Sequence, residues 1–199
     1  MKTIIKDAIW DILGLFYNNK NQPLHLREIS RKIKLNESPL TRHLNYLTHE
    51  TILRFEEEGN LKKFYINNKF IPEIFPLYDQ EKIRNLPLIR RKALDYYLQT
   101  MDKKPIFLIL FGSTAKGTFK KDSDIDLIEI FNEKTDTKNP AKFAEAQTGM
   151  RINSVQMTFK KFMEEIKLKN DPVIQSALET GFPIYNHKYF YEAVKYERI

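Results

Sequence analysis

The sequence predicts an α+β protein with a helical N-terminal part that ends in a β-hairpin and a C-terminal mixed sheet flanked by helices. Three observations favour this class. Apolar residues recur at helical spacing early in the chain, two β-prone runs then flank a turn signal, and short apolar strands finally alternate with helical patterns. A chain of 199 residues has room for two small domains. We expect these at residues 1–70 and 105–199, joined by a linker and a connecting helix at residues 71–104.

Three helices open the predicted N-terminal domain. Apolar residues at helical spacing predict the first helix over residues 4–16 and a shorter second helix over residues 26–35. A third helix begins near Asn36 or Ser38 and continues past residue 44. There, Ser38-Pro39 supplies an N-cap and a proline at the first helical position.

A β-hairpin completes this domain. Residues 52–56 and 61–66 are two β-prone runs, and the sequence Glu58-Gly59-Asn60 between them is a turn signal. Three helices and a hairpin in this order make a coherent small domain.

The middle of the chain is predicted to be a linker followed by one helix. Residues 68–86 contain prolines and scattered aromatics without a sustained period, so we expect an irregular linker that packs on the protein. From Pro87, apolar residues at helical spacing predict a helix whose outer face carries Arg91, Lys92 and Asp95. Beyond it, the predicted strands are 105–111, 126–131, 151–159 and 182–186, and the predicted helices are 140–148, 159–169, 172–180 and 188–196.

Composition and charge narrow the class of protein. The chain has 33 Lys and Arg against 26 Asp and Glu, a net charge of +7 that favours nucleic acid or nucleotide partners, although a solvated lysine-rich surface has the same composition. It has no cysteine, which excludes disulfides, thiol nucleophiles and cysteine zinc sites. It also lacks an apolar run of about 18 residues and a cleavable leader. We therefore expect a cytoplasmic protein that does not enter the membrane.

The order of the N-terminal elements resembles a winged helix-turn-helix domain of archaeal and bacterial regulators. The resemblance covers residues 1 to about 70 and is carried by LREISRKIKLNESPLTRHLNYLTHETILRFEEEGNLKKFYIN. It implies that the third helix lies in the major groove of duplex DNA. The implied DNA contacts are Ser38, Thr41, Arg42, Asn45 and Tyr46 from this helix and Lys62 and Lys63 from the wing.

A second interpretation of this domain stays open. The polar residues of the third helix equally describe the solvated face of an amphipathic helix. In addition, the wing carries Glu56, Glu57 and Glu58, whose charges repel phosphates. Dimerisation or protein contact is therefore the alternative to DNA binding.

The segment LFGSTAKGTFKKDSDIDLIEIF carries the most informative pattern. A strand ends at Gly112-Ser113, ten residues intervene, and a second strand opens with Asp124 and Asp126, which share one face because side chains alternate along a strand. Neighbouring carboxylates favour a divalent cation, and oxygen ligands without cysteine suit Mg²⁺ or Mn²⁺. Gly112 lets a phosphate approach the backbone, and Ser113 with the amides that follow it can hold phosphate oxygens.

This segment resembles the signature of the DNA polymerase beta-like nucleotidyltransferase superfamily, nearest its minimal nucleotidyltransferase branch. Together with winged-helix-fused members of that branch, the resemblance covers almost the whole chain. It implies a nucleoside triphosphate, with ATP as the nucleotide substrate, whose phosphates lie at Gly112 and Ser113 and whose Mg²⁺ ions lie on Asp124 and Asp126. A hydroxyl then attacks the α-phosphorus and pyrophosphate leaves. Lys116 falls where the family often has arginine, and it either neutralises triphosphate charge or is a solvated lysine.

The chain departs from the family pattern at the third carboxylate, which active members place on the neighbouring strand as metal ligand and base. Here that strand, RINSVQMT, contains no acid. Asn153 is the nearest candidate for the position, and a neutral amide cannot take a proton. Glu129 lies three residues after Asp126 on one strand and therefore faces the opposite side. The site is either a weakened catalyst or binds nucleotide without turnover.

Two functions follow from these observations. The first is a Mg²⁺-dependent enzyme that moves AMP from ATP onto a protein hydroxyl, as the resemblance implies for antitoxins paired with a small helical toxin. The second is a DNA-binding regulator whose nucleotidyltransferase-like domain senses nucleotide. The aromatic residues near the C-terminus either pack a terminal helix or form an oligomer contact, such as that of a homodimer; they are Tyr185, Tyr189, Phe190, Tyr191 and Tyr196.

Overall fold

The computed structural model describes residues 7–194, which divide into two compact units. One unit comprises residues 7–78 of the described chain and the other comprises Asp79–Val194. The described residues form ten α-helices and two β-sheets, which confirms the predicted α+β class. None of these helices combines the length and the apolar character needed to cross a membrane. The domain bounds predicted from the sequence stay a prediction.

The first unit contains three helices and three short strands. Its elements are α1 (Asp7–Asn18), β1 (Leu24–His25), α2 (Leu26–Ile33), α3 (Glu37–His49), β2 (Leu53–Glu58) and β3 (Leu61–Ile66). On α3, Leu40, Leu44 and Leu47 are buried at a spacing of about one helical turn, so one face of α3 packs on the unit. Residues 4–6 of the predicted first helix lie outside the described residues.

The strands of the first unit form an antiparallel sheet in the order β1-β3-β2. Glu58 pairs with Leu61, so Gly59 and Asn60 form a two-residue turn, and Gly59 supplies the positive φ of +59° that this turn needs. The hairpin predicted from the sequence is thus present. β1 was not predicted, because two residues are too few to show an alternating pattern.

The start of α3 agrees with the prediction, but its N-cap does not. The helix begins at Glu37 and Asn36 occupies the N-cap position, so the predicted N-cap at Ser38 is wrong. Pro39 consequently lies inside the first turn. Its missing N–H costs little there, because the first N–H groups of a helix have no intrahelical acceptor.

The segment predicted as an irregular linker is helical, and that prediction is wrong. A 3-10 turn covers Asn68–Phe70 and α4 covers Ile71–Asn85, within which the boundary between the two units falls. Ile71, Phe75 and Tyr78 are buried at helical spacing. Their burial offsets the backbone hydrogen bond that α4 loses at Pro76.

The second unit contains a mixed four-stranded sheet. Its further elements are α5 (Leu88–Thr100), β4 (Phe107–Phe111), α6 (Gly112–Lys116), β5 (Ile125–Phe131), α7 (Lys138–Thr148), β6 (Ile152–Thr158), α8 (Phe159–Leu168), α9 (Pro172–Thr180), β7 (Phe182–Tyr185) and α10 (His187–Val194). The strand order is β6-β5-β4-β7; β4 runs antiparallel to β5 and β7, and β5 runs parallel to β6. All four strands lie within one or two residues of their predicted positions.

Helices cover this sheet from both sides. One apolar cluster joins Leu94 and Tyr97 of α5 to Leu127 of β5 and Ala144 of α7. An aromatic cluster around Phe107 forms the second contact, with ring centroids at 5.2 Å from Phe162 and 5.4 Å from Phe190.

The aromatic residues near the C-terminus are placed by α10. Phe190 and Tyr191 are buried, and the hydroxyl of Tyr191 donates to Asp79 at 2.9 Å, whereas Tyr189 is exposed. Tyr196 lies outside the described residues. Packing of a terminal helix thus accounts for Phe190 and Tyr191.

Candidate functional site

The turn after β4 is built around Gly112. This residue begins α6 with φ of +70°, a conformation that strongly favours glycine. A Cβ atom at this position would lie 2.3 Å from Oδ2 of Asp126 and 3.1 Å from its Cγ. The backbone of the Gly-Ser turn therefore lies directly against the carboxylate of the second aspartate.

Strand pairing brings the residues of the predicted site together. Asp126 is the Cα partner of Phe111 in β4 and of Asn153 in β6. Asp124 stands just before β5, and its carbonyl oxygen accepts a hydrogen bond from Thr114 Oγ1 at 3.3 Å. Both aspartates are half-buried, so their carboxylates stay open to solvent and ligands.

Asn153 is an exposed neighbour of Asp126. Its Nδ2 donates to Oδ1 of Asp126 at 3.3 Å. The register inferred from the sequence, which put Asn153 next to the Asp-x-Asp motif, agrees with this pairing. An amide here offers N–H donors to the carboxylate, whereas an acid would offer a second negative charge.

The residue Ser113 is half-buried in the first turn of α6, and Lys116 is exposed at the end of the same helix. Gly117 follows Lys116 as the C-cap in the left-handed region. Both predicted cofactor-binding side chains thus belong to the five-residue helix that starts at Gly112.

Glu129 lies on the opposite face of β5, as its spacing from Asp126 predicts. It is fully buried and accepts hydrogen bonds from the Tyr97 hydroxyl, from Thr137 Oγ1 at 3.1 Å and from Gln156 Nε2 at 2.9 Å. Burial and, next, the charge of Glu129 raise the pKa of Tyr97, so this phenol stays protonated and keeps donating. The network ties β5 to its neighbours and takes no part in the site.

The side chain of Arg90 is a component of this region to which sequence reasoning gave no role. It projects from α5 and is 2% exposed, and it donates to Thr114 Oγ1 at 2.8 Å and to the carbonyl oxygens of Lys120 and Ser123 at 3.1 and 2.8 Å. The available signal was its position, because the helical spacing of α5 puts Arg90 among apolar residues. An arginine on an apolar helix face needs buried acceptors.

The carboxylates of this site fit Mg²⁺ only if phosphate oxygens of a bound substrate complete its ligands. Among residues 7–194 no group of three or more His, Cys, Asp or Glu side chains could hold a metal ion. Asp124 and Asp126 remain as the acidic pair. Mg²⁺ is commonly held by one or two carboxylates together with substrate phosphates and water, so this pair fits that mode of binding.

The residues predicted to contact DNA lie on two elements of the first unit. Those on α3 are all exposed: Ser38, Thr41, Arg42, Asn45 and Tyr46. Thr41 and Asn45 also line a groove between α2, α3 and the hairpin, together with Arg27, Arg31 and Lys62. The groove adds two arginines of α2 to the residues predicted from the sequence, but Glu28 and Glu37 also line it, and Nε of Arg27 lies 3.8 Å from Oε1 of Glu37.

Each lysine of the wing lies opposite a glutamate on the neighbouring strand. Lys63 faces Glu56 across the hairpin, and its Nζ lies 2.5 Å from Oε2 of Glu58, which lowers the pKa of Glu58. Lys62 faces Glu57, and its Nζ lies 4.2 Å from the centroid of the Phe55 ring. These acidic partners offset the positive charge that the wing could present to phosphates.

Comparison with known proteins identifies the domain family of the second unit. A family model described as the nucleotidyltransferase domain matches residues 91–198. No curated protein compared with the chain matches it. A solved structure described as the crystal structure of a toxin-antitoxin with AMP-PNP is 18% identical over 52% of this chain and 78% of its own, with a TM-score of 0.39, too low to carry an argument. Because the family model spans more than half of the sequence and includes both halves of the motif, the chain belongs to the nucleotidyltransferase domain family.

Proposed function

We propose that the second unit is a Mg²⁺-dependent nucleotidyltransferase that moves AMP from ATP onto a protein hydroxyl. The observation that carries this proposal is the contact between the Gly112 backbone and the Asp126 carboxylate. In this contact the Gly-Ser turn, which we propose binds phosphate, lies next to the acidic pair at the ends of adjacent strands. This juxtaposition is what transfer of a nucleotide from a triphosphate requires.

Each residue of the turn has a distinct part in this function. The Ser113 hydroxyl and the amides that follow Gly112 bind phosphate oxygens, and exposed Lys116 adds a positive charge near the triphosphate. Asp124 and Asp126 would hold Mg²⁺, which when bound would neutralise the charge that develops on the attacking and leaving oxygens. Asn153 occupies the base position without being able to accept a proton, so we expect slow turnover.

Replacing both Asp124 and Asp126 by alanine should abolish metal-dependent binding of ATP. Without the carboxylates, Mg²⁺ bound to the triphosphate loses its protein ligands, and affinity should become the same with and without the metal. Calorimetric titration with ATP, with and without Mg²⁺, measures this difference. The control is Asp122→Ala, which removes an exposed carboxylate two residues away and should leave the metal dependence intact. Unchanged metal-dependent binding in the double variant would contradict the proposed site.

A second function is favoured by the exposed face of α3. We propose that the first unit is a winged helix-turn-helix domain that binds duplex DNA through α3, with Arg42 as a principal phosphate or base contact. This proposal is supported by the exposure of all five predicted contact residues on α3. The paired wing charges make α3 rather than the hairpin the source of affinity. Under this second function, the protein is a regulator that binds DNA through its first unit and senses nucleotide through its second unit.

Replacing Arg42 by alanine should weaken DNA binding and reduce its salt dependence. Each lost phosphate contact removes about one unit from the slope of log affinity against log salt concentration. Gel shifts across a salt series measure both quantities. Arg54→Ala, which removes an exposed arginine of β2, is the charge-matched control. If Arg42→Ala binds like the native protein, or if the native protein binds no duplex DNA at low salt, the first unit serves protein contact instead.

The acceptor distinguishes the two functions. A neighbouring gene for a small all-helical protein would favour the enzyme function. Incubation of such a protein with this chain, Mg²⁺ and ATP labelled on the α-phosphate should then label the small protein. Labelling should disappear in Asp124→Ala. A palindromic sequence upstream of the chain's own gene, protected by the protein, would instead favour the regulator. We further propose a cytoplasmic location, where ATP and DNA are both available, and a homodimer as the form that would bind a palindrome.

A further inference from the structure

Arg90 is a buried cation that contacts both ends of the segment between the two halves of the motif. Its Nη1 donates to Thr114 Oγ1 at 2.8 Å, next to the Gly-Ser turn. Its Nη2 donates to the carbonyl oxygens of Lys120 at 3.1 Å and Ser123 at 2.8 Å, next to the acidic pair. The guanidinium carbon also lies 4.2 Å from the ring centroid of Phe119. The Arg90 side chain of α5 thus connects the two ends of the segment between the Gly-Ser turn and the acidic pair by hydrogen bonds.

The segment has little regular structure of its own. Residues 117–124 belong to no helix or strand, and hydrogen bonds between backbone groups within residues 113–123 include Thr118 N to Ser113 O at 3.0 Å and Ser123 N to Lys120 O at 3.1 Å. A guanidinium presents five N–H donors in one plane, so it can bind a hydroxyl and two carbonyl oxygens together. A lysine ammonium at the same place carries the charge on a single atom and lacks this planar fork.

The contacts of Arg90 also reach the first aspartate. The Thr114 hydroxyl that accepts from Arg90 donates in turn to the carbonyl oxygen of Asp124 at 3.3 Å. Burial lowers the pKa of Arg90 and the negative charge of Asp124 opposes that shift, so the guanidinium remains protonated at neutral pH. A fixed positive charge therefore lies close to the acidic pair.

We propose that Arg90 is a positioning residue that holds Ser113 and Asp124 in register for nucleotide binding. It lies outside the residues that the family model matches, and it acts through Thr114, Lys120 and Ser123 rather than by touching the nucleotide. The inference rests on the proposed transferase function for its consequence in nucleotide affinity. The ordering of residues 113–124 by Arg90 does not depend on that function.

The test uses two variants of the full chain at Arg90, and the same two substitutions at the adjacent Arg91 are their controls. Arg90→Lys keeps the charge and removes the planar fork, and Arg90→Met removes both. Arg91→Lys and Arg91→Met are the controls on the same helix. Hydrogen exchange of the Thr118 and Ser123 amides, referenced to the amides of β4 and β5, measures local order. Calorimetry with ATP and Mg²⁺ measures nucleotide affinity.

We expect exchange at Thr118 and Ser123 to rise in both Arg90 variants while β4 and β5 remain protected. ATP affinity should fall about tenfold to 10²-fold, because small displacements of binding groups are costly. The Arg91 variants should match the native protein. Unchanged local exchange in Arg90→Lys would overturn the proposal, as would faster exchange with unchanged ATP affinity. If the native protein binds no ATP, the transferase function fails, and faster local exchange alone still supports the ordering role of Arg90.

Discussion

Replacing Asn153 by aspartate is expected to raise the rate of AMP transfer by about 10²- to 10⁴-fold, the usual contribution of a general base. The variant puts a carboxylate where Nδ2 now lies 3.3 Å from Oδ1 of Asp126. It adds the metal ligand and the proton acceptor that β6 lacks. Initial rates with ATP labelled on the α-phosphate, measured for transfer to an acceptor protein or for self-modification, test this expectation.

The same substitution should have opposite effects with and without metal. Without Mg²⁺ the new carboxylate repels Asp126, so the free energy of unfolding should fall; with Mg²⁺ the cation compensates and metal affinity should rise. Thermal unfolding and metal titration measure both effects independently of turnover. Asn139→Asp adds the same charge on an exposed position of α7 and should change neither. Rapid transfer by the native protein that slows in Asn153→Asp would show that the site uses another base.

Replacing Gly112 by alanine is expected to lower ATP affinity in the presence of Mg²⁺ on the order of 10²-fold, the cost typical of displacing a reacting group by about 1 Å. The new Cβ would lie 2.3 Å from Oδ2 and 3.3 Å from Cβ of Asp126. Rotation of the Asp126 side chain can clear the contact with Oδ2, but it moves the carboxylate away from the Gly-Ser turn. The displaced carboxylate of Asp126 should then hold a metal next to Asp124 less well.

The matched control for this variant is Gly117→Ala. Gly117 has φ of +72°, nearly that of Gly112, but a Cβ there meets no atom within 4 Å. Both variants should therefore lose about 1–2 kcal/mol of stability from the left-handed backbone. Only Gly112→Ala should also lose nucleotide binding. Equal ATP affinity in the two variants would show that the contact between Gly112 and Asp126 does not set the site.

Local sequence patterns predicted much of this protein because many of its elements are specified by short-range periodicity. The helical spacing of Leu40, Leu44 and Leu47 reflects which face of α3 is buried, and the apolar character of β5 reflects its burial on both faces. The fixed spacing of Gly112, Asp124 and Asp126 predicted the nucleotidyltransferase family, which the family model confirms. The winged helix and the roles of the individual site residues stay predictions.

The errors arose where tertiary contacts override a local signal. The prolines of residues 68–86 suggested a linker, yet burial of Phe75 and its neighbours stabilises α4 in spite of Pro76. Ser38 is a good N-cap residue, but the helix starts one residue before it. Propensity is worth only tenths of a kcal/mol to about 3 kcal/mol per residue, and packing of a whole helix face outweighs it.

The sequence by itself determined the class of protein, the order of its elements and the motif that identifies its family, since each depends on residue type and spacing along the chain. Only the tertiary structure decided that Gly112 touches Asp126, that Asn153 hydrogen-bonds the same aspartate, and that Arg90 closes the intervening segment. These contacts join residues 14 to 33 positions apart in sequence, as in Gly112 with Asp126 and Arg90 with Ser123. Strand pairing and burial bring such residues together, and the periodicity of the sequence predicts neither the strand partners nor the buried contacts.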